Sequence, residues 1–317
     1  MKQLLAAIAA VSLLAVVSLF VGVSDISPAD VLDDPEKLQV LLISRVPRTI
    51  AIILTGMAMS VAGLIMQLLA RNKFVEPSTV GTVESATLGI LVVTLLAPEA
   101  SIFAKMLTAA AFAVAGTGLF LAILQRIPLR SALIVPLVGI MLGGVISSVA
   151  TFFAYRYDLL QTLNSWMVGD FSGVLRGRYE LLWLVGALTL LGFLFADRFT
   201  VAGMGRDFTT NLGLGYRQVM TVGLIIVALV SAVVVVTVGA IPFLGLIVPN
   251  VVSLIIGDNA RRAVPWVAVL GSGFVLGCDL IGRVIRFPYE IPIGTVVGVV
   301  GSALFLFLLL RRRSLVG

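Results

Sequence analysis

Residues 44–81 read SRVPRTIAIILTGMAMSVAGLIMQLLARNKFVEPSTVG, and how this stretch is read decides the fold. Between Arg48 and Arg71 no charged residue occurs. A bilayer-spanning helix needs about 20 mostly apolar residues, and this run supplies them. The run is too long and too uniformly apolar for a barrel strand, which alternates polar and apolar positions. A helix also closes its own backbone hydrogen bonds, which lipid cannot do for it. Pro47 suits a helix start, where its missing N–H is not needed. The stretch therefore predicts a membrane-spanning helix centred near residue 58.

The same pattern recurs in both directions along the chain. Ten apolar runs, bounded by charge or by Pro and Gly clusters, centre near residues 13, 58, 89, 114, 144, 188, 228, 250, 273 and 301. Pro242 and Pro249 interrupt the eighth. Composition agrees: 60% of the 317 residues are hydrophobic and 12% are charged. A soluble protein carries charge on about a quarter of its residues. The chain reads as an all-α integral membrane protein with ten transmembrane helices. MKQLLAAIAAVSLLAVVSLFVGVS, residues 1–24, looks like a secretory signal at first. Its apolar run exceeds the ~7–15 residues of such signals and no clear small-x-small cleavage site follows, so a retained first span is expected.

Ten spans put both termini on one side. With that side in the cytoplasm, thirteen of the 22 Lys and Arg fall inside, and RRR at 311–313 is the strongest anchor. The bias has the expected sign. Cys278 is the only cysteine and there is no histidine, which argues against an intrachain disulfide and against a zinc or haem site. No P-loop sequence occurs, and a membrane enzyme would have no evident catalytic constellation. Small residues recur four apart at Gly56 and Ser60, Gly139 and Gly143, Gly273 and Gly277, and Gly294 and Gly298, a spacing that lets helices approach closely in lipid.

Few charges interrupt the spans. Asp279 and Arg283 lie four apart on one helix face, where they can pair, either as a functional site or as a structural ion pair. Arg45 and Arg48 sit at the outer end of a span. A helix N-terminus favours anions, so an acidic partner outside is expected for them. Gly239, Pro242, Gly245 and Pro249 should break the helix within 237–265, which is tolerated at membrane depth only where backbone is buried in protein or lines a cavity. One polar island, GRDFTTNLGLGYRQ at 205–218, lies between spans six and seven on the cytoplasmic side. Asp207 and Gly213 to Gly215 can cap and turn short helices there.

RVPR at 45–48, RNKFVEP at 71–77 and EIPIG at 290–294 occur in an order and at a spacing that resemble the permease subunits of cobalamin and ferric-siderophore ABC importers, the FecCD type. The resemblance covers essentially the whole chain. LLISRVPRTI, SSVATFFAYRYD, GRYELL, FTVAGMG and IPFLGLIVPN point within it to the branch serving catecholate siderophores such as enterobactin relatives.

The resemblance implies a type II ABC importer permease bundle of ten helices, with both termini cytoplasmic in a bacterial inner membrane, forming a single permease domain over residues 1–317. It implies that the segment at about 203–218 docks on an ATPase, through Arg206, Asp207, Asn211, Leu212 and Gly213. Arg45, Arg48 and Arg283 would meet acidic residues of a periplasmic binding protein. Asn72 and Phe74 match an inner gate, and Ser131 a second gate element. Met57, Met59, Ser147, Ser148, Thr151 and Asn164 are candidate lining residues, although packing also explains them. Implied partners are a second permease (a paralogue rather than a copy), two ATPase subunits, the binding protein and an anionic ferric siderophore, with no nucleic acid. The chain itself would catalyse nothing and bind no cofactor, ATP and Mg belonging to the ATPase. Many relatives have His where this chain has Asn250, which cannot change charge near neutral pH. The rival reading is an ion-gradient-driven transporter of a small solute, for which Asp279 is the only convincing intramembrane carboxylate.

Overall fold

The computed structural model describes residues 2–22, 34–124, 126–127, 134–177 and 179–313, and every regular element among them is helical. The first is α1 (Lys2–Phe20). After it, α2 (Pro35–Val40) runs through a π-helical turn (Leu41–Arg45) into α3 (Val46–Leu69). Asp34 starts this rod by accepting from the N–H of Glu36 at 3.0 Å, with Pro35 in the first turn. Next come α4 (Thr82–Leu96), α5 (Ile102–Leu124), α6 (Ile134–Arg156) and α7 (Leu160–Trp166). They are followed by α8 (Leu182–Leu194), α9 (Ala196–Gly203), α10 (Arg206–Asn211) and α11 (Tyr216–Val238). The last are α12 (Leu244–Ile256), α13 (Ala260–Val284) and α14 (Ile293–Arg313).

The continuous rod 35–69 is the centre of the bundle, with 83% of its apolar window buried, against 6% for α1. Its small residues explain how. A Cβ on Gly63 would stand 2.1 Å from the Gly245 carbonyl oxygen of α12, and one on Gly56 would stand 2.6 Å from the Gly271 oxygen of α13. Only glycine permits these approaches. Ser272 adds a hydrogen bond from its hydroxyl to the Ile53 carbonyl at 3.0 Å. The Gly139 and Gly143 pair packs on the Thr79–Gly81 turn, whereas Gly277 faces open space.

All ten expected centres fall within helices, but ten full-length spans are not what the helix lengths give. Among the described residues, six helices are long and apolar enough to cross a membrane, or seven if α8 and α9, bent by 61°, count as one span. Thr82–Leu96, Leu244–Ile256 and the apolar part of α14 are shorter. At 1.5 Å per residue, the 13 residues of α12 cover about 20 Å of a ~30 Å core.

The reason for two of the short helices lies in the loops that precede them. After α3 the chain turns at Arg71 and folds back along α12: Asn250 Nδ2 donates to the Lys73 carbonyl at 2.8 Å, and the Phe243 N–H donates to Glu76 Oε1 at 2.8 Å. A 3-10 turn (Pro77–Thr79) then leads into α4. Glu76, 1% exposed, rests on the N-terminus of α12, where an orphan N–H and the helix dipole both favour a carboxylate. Of the expected breakers, Gly239 and Pro242 fall in the break at 239–243 between α11 and α12, and a second break at 257–259 separates α12 from α13. Gly245 and Pro249 lie inside α12, where Pro249 cannot donate to the Gly245 carbonyl and Gln67 Nε2 donates to it instead at 3.2 Å.

Candidate functional site

Three places in the bundle bring sequence-predicted residues together. At the end where α3 begins, Arg48 donates from Nη2 to Asp279 Oδ1 at 2.8 Å and from Nη1 to Glu290 Oε2 at 2.7 Å. Arg283 donates from Nε to Asp279 Oδ2 at 2.7 Å, completing the pairing expected from their spacing. Its Nη1 reaches the carbonyls of Ser18 at 3.0 Å and Val21 at 2.8 Å, and its Nη2 the Ser18 hydroxyl at 2.8 Å. Arg45 donates to the Leu19 carbonyl at 3.0 Å. Two of the three arginines thus satisfy carbonyls at the C-terminus of α1, which no helical N–H can reach. Arg45 and Arg283 are 7% and 4% exposed, and Asp279 is 2% exposed. The acidic partners of Arg48 and Arg283 in this conformation are intramolecular. Beside them Arg286 lies exposed, its guanidinium 5.9 Å from the Tyr289 ring centre.

At the opposite end of α3, Asn72 Oδ1 accepts from the Phe74 N–H at 2.8 Å, and Asn72 is buried. The Phe74 ring meets Phe305 of α14 edge-on at 6.2 Å. Lys73 donates to Ser253 at 2.9 Å and to both oxygens of Asp258 at 2.8 Å. Asn250 spends both N–H groups of one nitrogen, on the carbonyls of Lys73 and Leu246. A neutral imidazole, with a single N–H, could serve only one of them. These contacts pin the 72–74 segment across α12. Ser131 lies outside the described residues.

The polar island forms α10 and its flanks. Its N-cap is Gly205 at φ +117°, not Asp207, which sits exposed in the first turn without a capping bond. Gly213, at φ +76°, ends the helix as expected, and the hydroxyl of buried Thr209 donates to the Gly205 carbonyl at 2.6 Å. Arg206, Asn211 and Gly213 are exposed. So is Leu212, at 57%, and one turn before it Phe208 at 49%. Sequence reading missed Phe208, although its spacing of four from Leu212 was available to find it.

Ser147, Ser148 and Thr151 line one groove of about 460 Å³ on α6, with Phe152, Tyr155 and Leu160. Asn164 is exposed on α7, Met57 is half-buried, and Met59 lies in the core at 1% exposure. The structure therefore groups the serines and the threonine and leaves the two methionines apart from them.

Residues 10–311 match the model of the FecCD transport family. The chain is 52% identical over 303 residues to the petrobactin import system permease protein YclN of Bacillus subtilis strain 168, covering 95% of this chain and 96% of that protein. It is 42% identical over 271 residues to the ferric-anguibactin transport system permease protein FatD of Vibrio anguillarum, covering 86% of each. A solved inward-facing structure, described as a metal-chelate type ABC transporter, shares the fold with a TM-score of 0.84 at 21% identity, covering 98% of this chain and 99% of that one. Apolar helices and bacterial relatives together make this a multi-pass protein of the bacterial cytoplasmic membrane. With the family's model matching residues 10–311 and a relative 52% identical along nearly its whole length, the chain belongs to the FecCD transport family.

Proposed function

We propose that this chain is one of two permease subunits of an ATP-driven importer that takes a ferric siderophore of catecholate type from a binding protein to the cytoplasm by alternating access. The observation that carries the reading is near-full-length likeness to a petrobactin permease. The two relatives are named for petrobactin import and ferric-anguibactin transport, and the catecholate assignment rests on the sequence fragments that resemble that branch. The second permease is a paralogue, and two ATPase subunits bind below.

The geometry supports a role for each end. Exposed Phe208 and Leu212 give α10 an apolar face at a polar surface, suited to a groove on an ATPase. At the other end Arg48 and the exposed Arg286 meet the binding protein, with Arg45 and Arg283 behind them holding α1. Rim charges of that kind set encounter rate and orientation. Asn72 and Phe74 close the path on the cytoplasmic side, Ser131 extends the gate, and the groove at Ser147, Ser148 and Thr151 belongs to the path. Asp279, the carboxylate an ion-driven rival would use, is already held by Arg48 and Arg283.

The test is co-purification of the permease in nanodiscs with its candidate ATPase subunits, followed by uptake of radioiron-labelled ferric petrobactin by cells carrying the full system. Wild type is expected to retain the ATPase and Leu212→Asp to lose it together with uptake. Equal retention by both would remove α10 as the docking element, and no retention by either would overturn the importer reading.

A further inference from the structure

The last turn of α3 ends in an unexpected residue. The Arg71 N–H donates to the Leu68 carbonyl at 3.2 Å and the Asn72 N–H to the Gln67 carbonyl at 2.9 Å, with Arg71 at φ +51°. That is the Schellman arrangement, whose left-handed position is usually Gly and sometimes Asn. Any other side chain there carries a conformational cost that glycine avoids. Arginine is therefore not present for the turn.

Its side chain lies on the start of the polar island. The Nη1, Cζ and Nη2 atoms stand 3.5, 3.6 and 3.7 Å from the point a Cβ would occupy on Gly205. Near-equal distances to three atoms of a planar group mean that the guanidinium of exposed Arg71 turns its face toward Gly205, with room for about a methyl group between them. Gly205 is the N-cap of α10 and the joint between α9 and α10: its N–H donates to the Ala202 carbonyl and its carbonyl accepts from the Thr209 N–H, both at 3.1 Å. Beside it, the Cβ position of Gly203 stands 3.3 Å from the Leu68 side chain. A cavity of about 320 Å³, lined by Leu68, Arg71, Lys73, Gly203, Pro249 and Asp258 among others, opens next to these contacts. The start of α10 thus rests on the end of α3 beside open space.

The Arg45 and Arg48 contacts lie on the same rod, about 30–35 Å from its Leu69 end at 1.5 Å per residue. Residues 35–69 form one 35-residue helical element, about 50 Å long at 1.5 Å per residue. We infer that Arg71 is a positioning residue that ties the movement of this rod to α10, so that events at the binding-protein end reach the ATPase end. The inference rests on the reading of α10 as the ATPase-facing element.

Arg71→Gly tests it, because glycine suits the backbone at φ +51° while the whole side chain facing Gly205 is removed. The assembled complex should melt at or above the wild-type temperature and retain its ATPase subunits. The ratio of ATP hydrolysis with and without binding protein loaded with ferric petrobactin should fall about tenfold, a common size for coupling between sites. Arg71→Lys, which keeps the charge but not the flat face over Gly205, should fall between the two. A wild-type ratio in Arg71→Gly, alongside a lost one in Leu212→Asp, would overturn the inference alone. A wild-type complex that holds no ATPase would overturn the importer reading and this inference with it.

Discussion

At the scale of single residues, the arginine cluster is decided by Asp279. One buried carboxylate gives one oxygen to Arg48 and the other to Arg283. Taking such charges from water is costly and is offset only when every partner is in place. Asp279→Asn leaves the buried Arg283 without a counter-charge and half-buried Arg48 with Glu290 alone, and the expected loss is about 3–5 kcal/mol. Glu290 is different: its side chain is 27% exposed, and water screens its pairing with Arg48. Glu290→Gln should cost about 1 kcal/mol or less. Thermal melting of the purified variants checks the order, and equal losses would contradict it. The serial roles of these arginines were only half legible in the sequence. Their position at a helix end read as outward-facing, whereas two of them turn inward to carbonyls of α1. Main-chain carbonyls leave no trace in a sequence, so nothing in residues 18–21 announced them as partners.

At the scale of elements, the apolar runs placed the helices correctly because a span must satisfy its own backbone and keep charge out. The sequence did not reveal that α4 and α12 start inside the bundle. Glu76 reads locally as a loop carboxylate before a proline, and its hydrogen-bond partner, the Phe243 N–H, lies 167 residues away. Only the fold makes it the cap of α12. The same distance hides the role of Asn250, whose partner carbonyl on Lys73 is 177 residues back. Glu76→Gln keeps an acceptor oxygen at the α12 N-terminus and should be the milder change. Glu76→Ala leaves a buried N–H without an acceptor, which costs about 1–3 kcal/mol. Hydrogen exchange at the first turn of α12 should then rise more in the Ala variant than in the Gln variant. Equal protection in both would mean that the carboxylate is not what holds this helix start.

At the scale of the whole molecule, the question is which faces meet lipid, water or a second subunit. Only 22% of the α6 window is buried within this chain, against 44% for α5 and α13. Leu137, Met141, Val145 and Phe152 are exposed along α6. Exposed apolar residues alone suit lipid as well as protein, since lipid is as apolar as they are. Ser148 and Thr151 on the same helix are also exposed, and they line the groove with Ser147. The Ser148 hydroxyl donates to the Gly144 carbonyl of its own helix at 2.8 Å, which leaves its oxygen as an acceptor for water. Under the proposed function the groove side of α6 faces the transport path, and the second permease supplies the opposite wall. On that proposal the second permease covers Met141 and Val145, which lie one to two turns before Ser148 on the same face of α6. The single native cysteine, Cys278, is buried, so introduced thiols report with little background. In membranes carrying the full transporter, Ser148→Cys should react with a water-soluble maleimide and Met141→Cys should not. With the paralogous permease left out, Met141→Cys should meet lipid and still resist the polar reagent, but it should become reactive toward a lipid-soluble one. Protection of Ser148→Cys in the assembled transporter would place this face against protein rather than water and move the path to another side of the bundle.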